Sequence, residues 1–162
     1  MATSIFKIAL KSKVKDTLTP FKGTVVGRTQ FLFGCVRYAV QSDKLEEGKR
    51  GTPQWFDESQ LKVSTAAEEK AGVFKFSLGD DVKDTITPFA GVVTARTEMI
   101  NSTPRYGVQS RVLQKGAPAN AEWMDEEQIV LVKKSTVEKA APAGSPRQGP
   151  RPDAQRRADY SR

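Results

Sequence analysis

The segment VKDTLTPFKG at residues 14–23 returns as VKDTITPFAG at residues 82–91, sixty-eight positions later. Worked outward at that constant offset, the match runs from Phe6/Phe74 to Val63/Leu131 with no insertion or deletion. Over residues 14–63, 22 of 50 positions are identical, which is far more than chance supplies. The chain therefore holds two copies of one fold unit. The first occupies residues 1–68 and the second 69–134, with the boundary in TAAEEKAG at residues 65–72. Residues 135–162 form a third region, rich in Pro, Gly, Ala and Arg, which offers little to bury and reads as an extended basic C-terminal arm.

Inside each copy the signals are those of short strands separated by turns. IFKIAL at residues 5–10 alternates apolar and polar side chains, as does VFKFSL at 73–78, and this predicts a first strand. Pro20 and Pro88 remove a backbone donor and fix the chain, which favours a bend after Val14 or Val82. Gly23 and Gly91 then open a β-rich run. RYAVQS at 37–42 and RYGVQS at 105–110 supply another strand. WFDESQLKV at 55–63 and WMDEEQIVLV at 123–132 predict a closing strand preceded by a polar corner or single helical turn. Four or five strands in about 60 residues without a helical period predict an all-β chain of two tandem SH3-like barrels, with open β-meanders as the alternative. Closure is attractive because it hides sheet edges. A unit of about 60 residues buries only about 60% of its unfolded surface, so pairing or a partner would strengthen it.

Composition narrows the chemistry. The chain of 162 residues carries a net charge of +7, of which residues 133–162 hold +5 and residues 1–132 hold +2. The repeats are thus nearly balanced and the tail is basic. No apolar run is long enough to span a bilayer, and the first residues lack the pattern of a secretory leader, so no membrane partner is expected. Cys35 is the one cysteine and there is no histidine. An internal disulfide and a cysteine-based metal site are excluded, and the commonest general base and metal ligand are missing. Asp57-Glu58 and Asp125-Glu126 are adjacent carboxylates, which a strand would point to opposite faces. There is no Gly-rich phosphate loop. An enzyme and a cofactor are therefore not expected.

The residues able to carry binding are aromatic and basic. Tyr38, Tyr106, Trp55 and Trp123 are the natural suspects for a binding surface, with filling of a small core the favoured reading of each tryptophan. Tyr38, Tyr106, Phe21 and Phe89 are candidate protein contacts, together with Arg147, Arg151, Arg156 and Arg157 of the arm. The sets Asp16/Arg28 and Asp84/Arg96 suggest a structural ion pair or a turn capped by the carboxylate. Arg37 and Arg105 precede the tyrosines and are open to three uses: stacking, pairing with Asp57 or Asp125, or contact with a neighbour. Thr17, Thr19, Thr85 and Thr87 are suited to satisfying turn backbone. Lys22 becomes Ala90, Lys44 becomes Val112 and Asp43 becomes Arg111. A phosphate-tracking groove repeated in both copies would keep its positive positions, so nucleic acid is the less favoured partner.

Residues Val14, Asp16, Thr19, Phe21, Gly23, Val25 and Arg28, followed by Gly34, Cys35, Tyr38 and Val40 and then by Trp55, Phe56, Asp57, Glu58 and Leu61, form a pattern that resembles a family of small proteins of tailed bacteriophages. The second copy departs from it at Ser102, Thr103 and Met124, and both copies carry proline, Pro20 and Pro88, where glycine is frequent in that family. The resemblance covers about 120 residues and brings no catalytic residue. It implies a virion structural component, such as a capsid-decorating or cement protein or a neck or tail accessory. Its partners would be major capsid or neck/tail subunits, with self-association a further option, and it would pass from host cytoplasm to virion on assembly. A nucleic-acid-binding double barrel and an intracellular adaptor for a host protein are the alternatives. Duplication would then serve a bidentate clamp, because the first contact raises the effective concentration for the second.

Overall fold

The computed structural model describes residues 6–68 and 74–135, and within them the chain is all-β. The first copy contributes β1 (Lys13–Asp16), β2 (Lys22–Phe31), β3 (Arg37–Ser42), the short ribbon β4 (Leu45–Glu46) and β5 (Lys49–Arg50), β6 (Gln54–Asp57) and β7 (Leu61–Thr65). The second repeats the series as β8 (Asp81–Asp84), β9 (Ala90–Met99), β10 (Arg105–Gln109), β11 (Leu113–Gln114), β12 (Ala117–Pro118), β13 (Glu122–Asp125) and β14 (Ile129–Lys133). Three-residue 3-10 turns, Glu58–Gln60 and Glu126–Gln128, join β6 to β7 and β13 to β14.

Within a copy the strand order is β7-β1-β2-β3-β6, all antiparallel, and its counterpart is β14-β8-β9-β10-β13. The expected closed barrels are not formed. The 3-10 turn is flanked by extended backbone at Asp57 and Leu61 and does not fold back as a hairpin; β6 pairs with β3 and β7 with β1, at opposite edges of the copy, and the sheet is open. The two copies are also not separate. Strand β2 has ten residues and β1 four, so β2 runs well beyond the end of β1. Its first half pairs with β1, and its second half pairs on the same edge with β9, as Gly27↔Met99, Thr29↔Thr97 and Phe31↔Ala95. With an offset of sixty-eight, this ladder is symmetric about Thr29 and Thr97, so the copies meet around a pseudo-twofold axis in one ten-stranded sheet. The hydroxyls of Thr29 and Thr97 lie 2.6 Å apart on that axis.

The predicted first strand is not one. Phe6 and Ile8 are buried as the alternation requires, but residues 6–12 run through bends and turns with no ladder. Lys11 and Ser12 exchange backbone bonds with Val25 at 2.8 and 2.9 Å, while the backbone of Ile8 is satisfied by side chains. The Tyr38 hydroxyl accepts from the Ile8 amide at 3.3 Å, and the Arg28 Nη1 donates to the Ile8 carbonyl at 3.2 Å. Tyr106 and Arg96 do the same around Phe76, at 3.4 and 3.1 Å. Buried backbone groups need partners, and once side chains provide them no strand pairing is required.

Each copy has its own core. Phe6, Ile8, Val14, Val25, Tyr38 and Val40 form the first, and Phe76, Val82, Val93, Tyr106, Val108 and Ile129 are among those forming the second. The junction ties them together. Leu32 of the first copy lies in the second core, and the rings of Phe6 and Phe74 meet with centroids 6.1 Å apart. The Arg28 guanidinium lies 4.4 Å over the Phe6 ring and that of Arg96 lies 4.7 Å over the Phe74 ring. Arg28, fully buried, donates across the axis to Glu98 at 2.9 Å, while Arg96 donates to Gln30 at 3.0 Å. Gln30 and Glu98 are equivalent positions, so one device appears once with a charged acceptor and once with a neutral one.

The duplicated segment proves to be a self-capped loop. The Asp16 carboxylate accepts from the amides of Leu18 and Thr19 at 3.3 and 3.0 Å and from the Thr19 hydroxyl at 2.5 Å. Thr17 donates through its hydroxyl to the Gln60 carbonyl at 3.0 Å, which fastens the loop to the 3-10 turn. Asp84, Thr85 and Thr87 repeat these bonds. The carboxylate is therefore a turn cap and does not pair with Arg28, whose guanidinium faces the other copy. The Thr19 hydroxyl, and then the two amides, hold Asp16 below the ordinary aspartate value, and Asp84 is held down by Thr87 in the same way. Gly23 and Gly91 follow because a Cβ there would lie 2.1 and 2.3 Å from the carbonyl oxygens of Gln41 and Gln109.

Candidate interaction face on the outer side of the sheet

Strand registers decide which side chains share a face. Tyr38 points into the core, so its neighbours Arg37 and Ala39 point outward. From Arg37 the pairings run Asp57–Arg37–Thr29–Thr97–Arg105–Asp125 across six strands, one outward row centred on the pseudo-twofold axis. A second row, Trp55–Ala39–Gly27–Met99, lies on one side of it, and a third, Phe31–Ala95–Gly107–Trp123, on the other. The rows exchange under the pseudo-twofold operation.

The floor of this face is made of small residues and its relief of large ones. Ala39 and Ala95 are buried beneath their neighbours. A Cβ on Gly27 would lie 2.1 Å from the Met99 sulfur, and one on Gly107 would lie 3.2 Å from the Ala95 Cβ and 3.7 Å from the Trp123 ring. The facing pairs Gly27/Ala39 and Ala95/Gly107 each admit one methyl group, with its position swapped between copies. Above this floor Trp55 and Trp123 are 42% and 43% exposed. Arg37 pairs with Asp57 at 3.1 Å and donates to the Trp55 carbonyl at 3.5 Å. Arg105 pairs with Asp125 at 2.9 Å and donates to the Trp123 carbonyl at 3.3 Å. These ion pairs are half exposed and contribute at most about 1 kcal/mol each to stability, but they hold each guanidinium against the backbone carbonyl of a tryptophan. Trp55 and Trp123 are five strand spacings apart, about 24 Å before any offset along the strands. That is too wide for one small ligand and suits two separate contacts.

The residues expected from sequence fall in three places. Tyr38 and Tyr106 are fully buried, which corrects their reading as contacts. Each phenol donates to a carboxylate, Tyr38 to Glu58 at 2.7 Å and Tyr106 to Glu126. Burial first, and the neighbouring carboxylate second, push both phenols well above the ordinary tyrosine value. Phe21 and Phe89 are half-buried and pack against the cores, Phe21 with its ring 5.2 Å from that of Phe56. The exposed aliphatic tips of the same loops are Leu18 and Ile86, at 80% and 79%. Arg147, Arg151, Arg156 and Arg157 lie outside the described residues.

The tryptophans expected in the core stand on the outer face, because Phe56 and Met124 occupy the inward positions next to them. The signal was present in the strand period. In QWFD the two large residues are adjacent, and only one of them can face inward. The carboxylate pairs are likewise divided: Asp57 serves Arg37, while Glu58 accepts from Tyr38 and pairs with Lys7 at 3.3 Å. Among the described residues no cluster of His, Cys, Asp or Glu is arranged to hold a metal ion, and no helix is long and apolar enough to cross a membrane. Comparison with known protein families, with curated proteins and with solved structures gives no significant match.

Proposed function

We propose that the chain is a non-enzymatic binding component that clamps two neighbouring protein subunits through the two Trp/Arg wings of its outer face. The observation that carries this reading is the pseudo-twofold outward row Asp57–Arg37–Thr29–Thr97–Arg105–Asp125 flanked by half-exposed Trp55 and Trp123. Tryptophan and arginine are the side chains that dominate binding energy at protein interfaces. Because one ladder joins the copies, the wings are held at a constant separation, and the second contact is gained at high effective concentration. A pair of equivalent wings matches a partner that is itself repeated, as subunits of a particle are. Together with the resemblance to small phage proteins, this supports a structural accessory of a phage virion, bridging capsid or neck/tail subunits. The strand order with a 3-10 corner supports the SH3-like reading of each unit, in an open form.

Protein is favoured over nucleic acid because Asp57 and Asp125 already neutralise Arg37 and Arg105, and a phosphate would meet a carboxylate beside each guanidinium. The test is incorporation into purified phage particles, quantified by mass spectrometry, for the parent chain and for Trp55→Ala, Trp123→Ala and the double variant. Stoichiometric incorporation, reduced in each single variant and abolished in the double, is expected. Particles that lack the parent chain overturn the proposal, and so does full occupancy by the double variant. Binding to DNA or RNA that weakens steeply with salt would favour the nucleic-acid alternative.

A further inference from the structure

The two copies differ in polarity at one edge. Strand β7 presents Lys62, Val63 and Ser64 where β14 presents Val130, Leu131 and Val132. A lysine in mid-strand and a following serine are the usual protection of a sheet edge, and β14 has replaced both by valine. Val130, Leu131 and Val132 are 45%, 43% and 63% exposed. The edge is also open in hydrogen bonding. The Thr85 amide donates to the Gln128 carbonyl at 2.9 Å, so Gln128 and, two residues on, Val130 turn their backbone groups toward β8. Ile129 and Leu131 turn theirs the other way, where no described strand pairs with β14.

We infer that β14 is a dimerisation edge, at which the chain pairs antiparallel with β14 of a second copy of itself. Charge selects this occupant. Glu127 is exposed just before β14, and Lys133 and Lys134 are exposed at its end. An antiparallel second copy centred on Leu131 brings each basic end toward the acidic start of the other strand and sets Val130 against Val132 of that strand. A parallel copy would set like charges together. Self-pairing of β7 would bring two Lys62 side chains close together, so the first copy's edge is protected where the second's is not. The chain already uses twofold antiparallel pairing once, where β2 meets β9.

The test is the mass of the whole chain, by sedimentation or light scattering, from low micromolar to several hundred micromolar. The parent is expected to pass from monomer to dimer across this range. Val130→Lys with Val132→Ser gives β14 the residues that β7 carries at the same positions in the same fold, so folding is expected to survive, checked by an unchanged circular dichroism spectrum. This variant should stay monomeric, with its dissociation constant raised at least tenfold. Glu127→Lys should weaken dimerisation, and adding Lys133→Glu and Lys134→Glu should restore it. The reverse transplant, Lys62→Val with Ser64→Val, should produce species larger than a dimer. A parent that stays monomeric throughout overturns the inference, as does a folded Val130→Lys/Val132→Ser variant that dimerises like the parent. Failure of the charge-swapped set to recover overturns the antiparallel arrangement.

Discussion

Replacing Tyr38 by phenylalanine removes one oxygen from a fully buried site and leaves the ring in place. That oxygen accepts from the Ile8 amide at 3.3 Å and donates to Glu58 at 2.7 Å, so two groups lose a partner at once. Glu58 keeps Lys7 at 3.3 Å and Ile8 keeps the Arg28 bond to its carbonyl, which limits the damage. Loss of a hydrogen bond to a charged group costs about 1.5–3 kcal/mol, and an unsatisfied buried donor costs about 1–3 kcal/mol, so a net loss of about 2–3 kcal/mol is expected. For a sheet of this size that corresponds to a fall in Tm of roughly 6–15 °C. The pH dependence supplies a second readout. Burial and Glu58 raise the folded phenol above the ordinary value of 10.0, so its contribution is fully present below that value and is lost as pH rises through the folded one. Stability of the parent should therefore decline above about pH 10, and Tyr38→Phe should remove part of that decline. Urea unfolding at neutral and alkaline pH, with phenolate absorbance of the native protein, measures both effects. A cost below about 0.5 kcal/mol, which is what a change away from such a network produces, would refute the reasoning, as would native Tyr38 and Tyr106 titrating at the ordinary tyrosine value.

Three further outcomes are expected. Asp16→Asn with Asp84→Asn should lower stability at neutral pH and flatten its fall in acid. The depressed carboxylates stabilise the fold above the ordinary value of 3.8 and lose that contribution as pH drops through their folded values, which urea midpoints followed down the acid range will show. Glu98→Gln converts the Arg28–Glu98 junction into the kind already present at Arg96–Gln30 and should cost about 1–2 kcal/mol while leaving one cooperative unfolding transition; no change in midpoint would mean that the charge at this junction does not matter. Gly23→Ala places a methyl 2.1 Å from the Gln41 oxygen and should cost at least about 2 kcal/mol in the same assay, whereas Gly48→Ala, where the surroundings are open, should cost only the strain of its positive φ.

Local features were legible where they are local in cause. The duplication, the turn at Asp16-Thr17-Leu18-Thr19-Pro20, the strand at Arg37–Ser42 and the 3-10 corner before β7 all follow from side chains acting on their own neighbourhood. Alternation in residues 6–10 correctly marks Phe6 and Ile8 as buried, yet alternation measures only which side chains face inward. It cannot tell a ladder from an irregular segment whose amide and carbonyl are met by Tyr38 and Arg28. The same limit applied to the candidate site. Tyr38 and Trp55 are both amphipathic aromatics, and the core chose between them by strand parity: Phe56 took the inward place, which turned Trp55 outward.

By itself the sequence determined that the chain is β-rich, built twice from one unit, nearly neutral in its repeats and given a proline-bearing turn in each. Those properties depend on residues close together in the chain. Tertiary structure decided that the two units share one sheet, that Arg28 and Arg96 reach across a pseudo-twofold axis, and that two Trp/Arg wings face the same way. The reason is that the second half of β2 has a choice of partners on its free edge. The packing of Leu32, Phe6 and Phe74 between the cores, with the Arg28–Glu98, Arg96–Gln30 and Thr29–Thr97 contacts across the axis, joins that half to β9 through separations that no local pattern encodes.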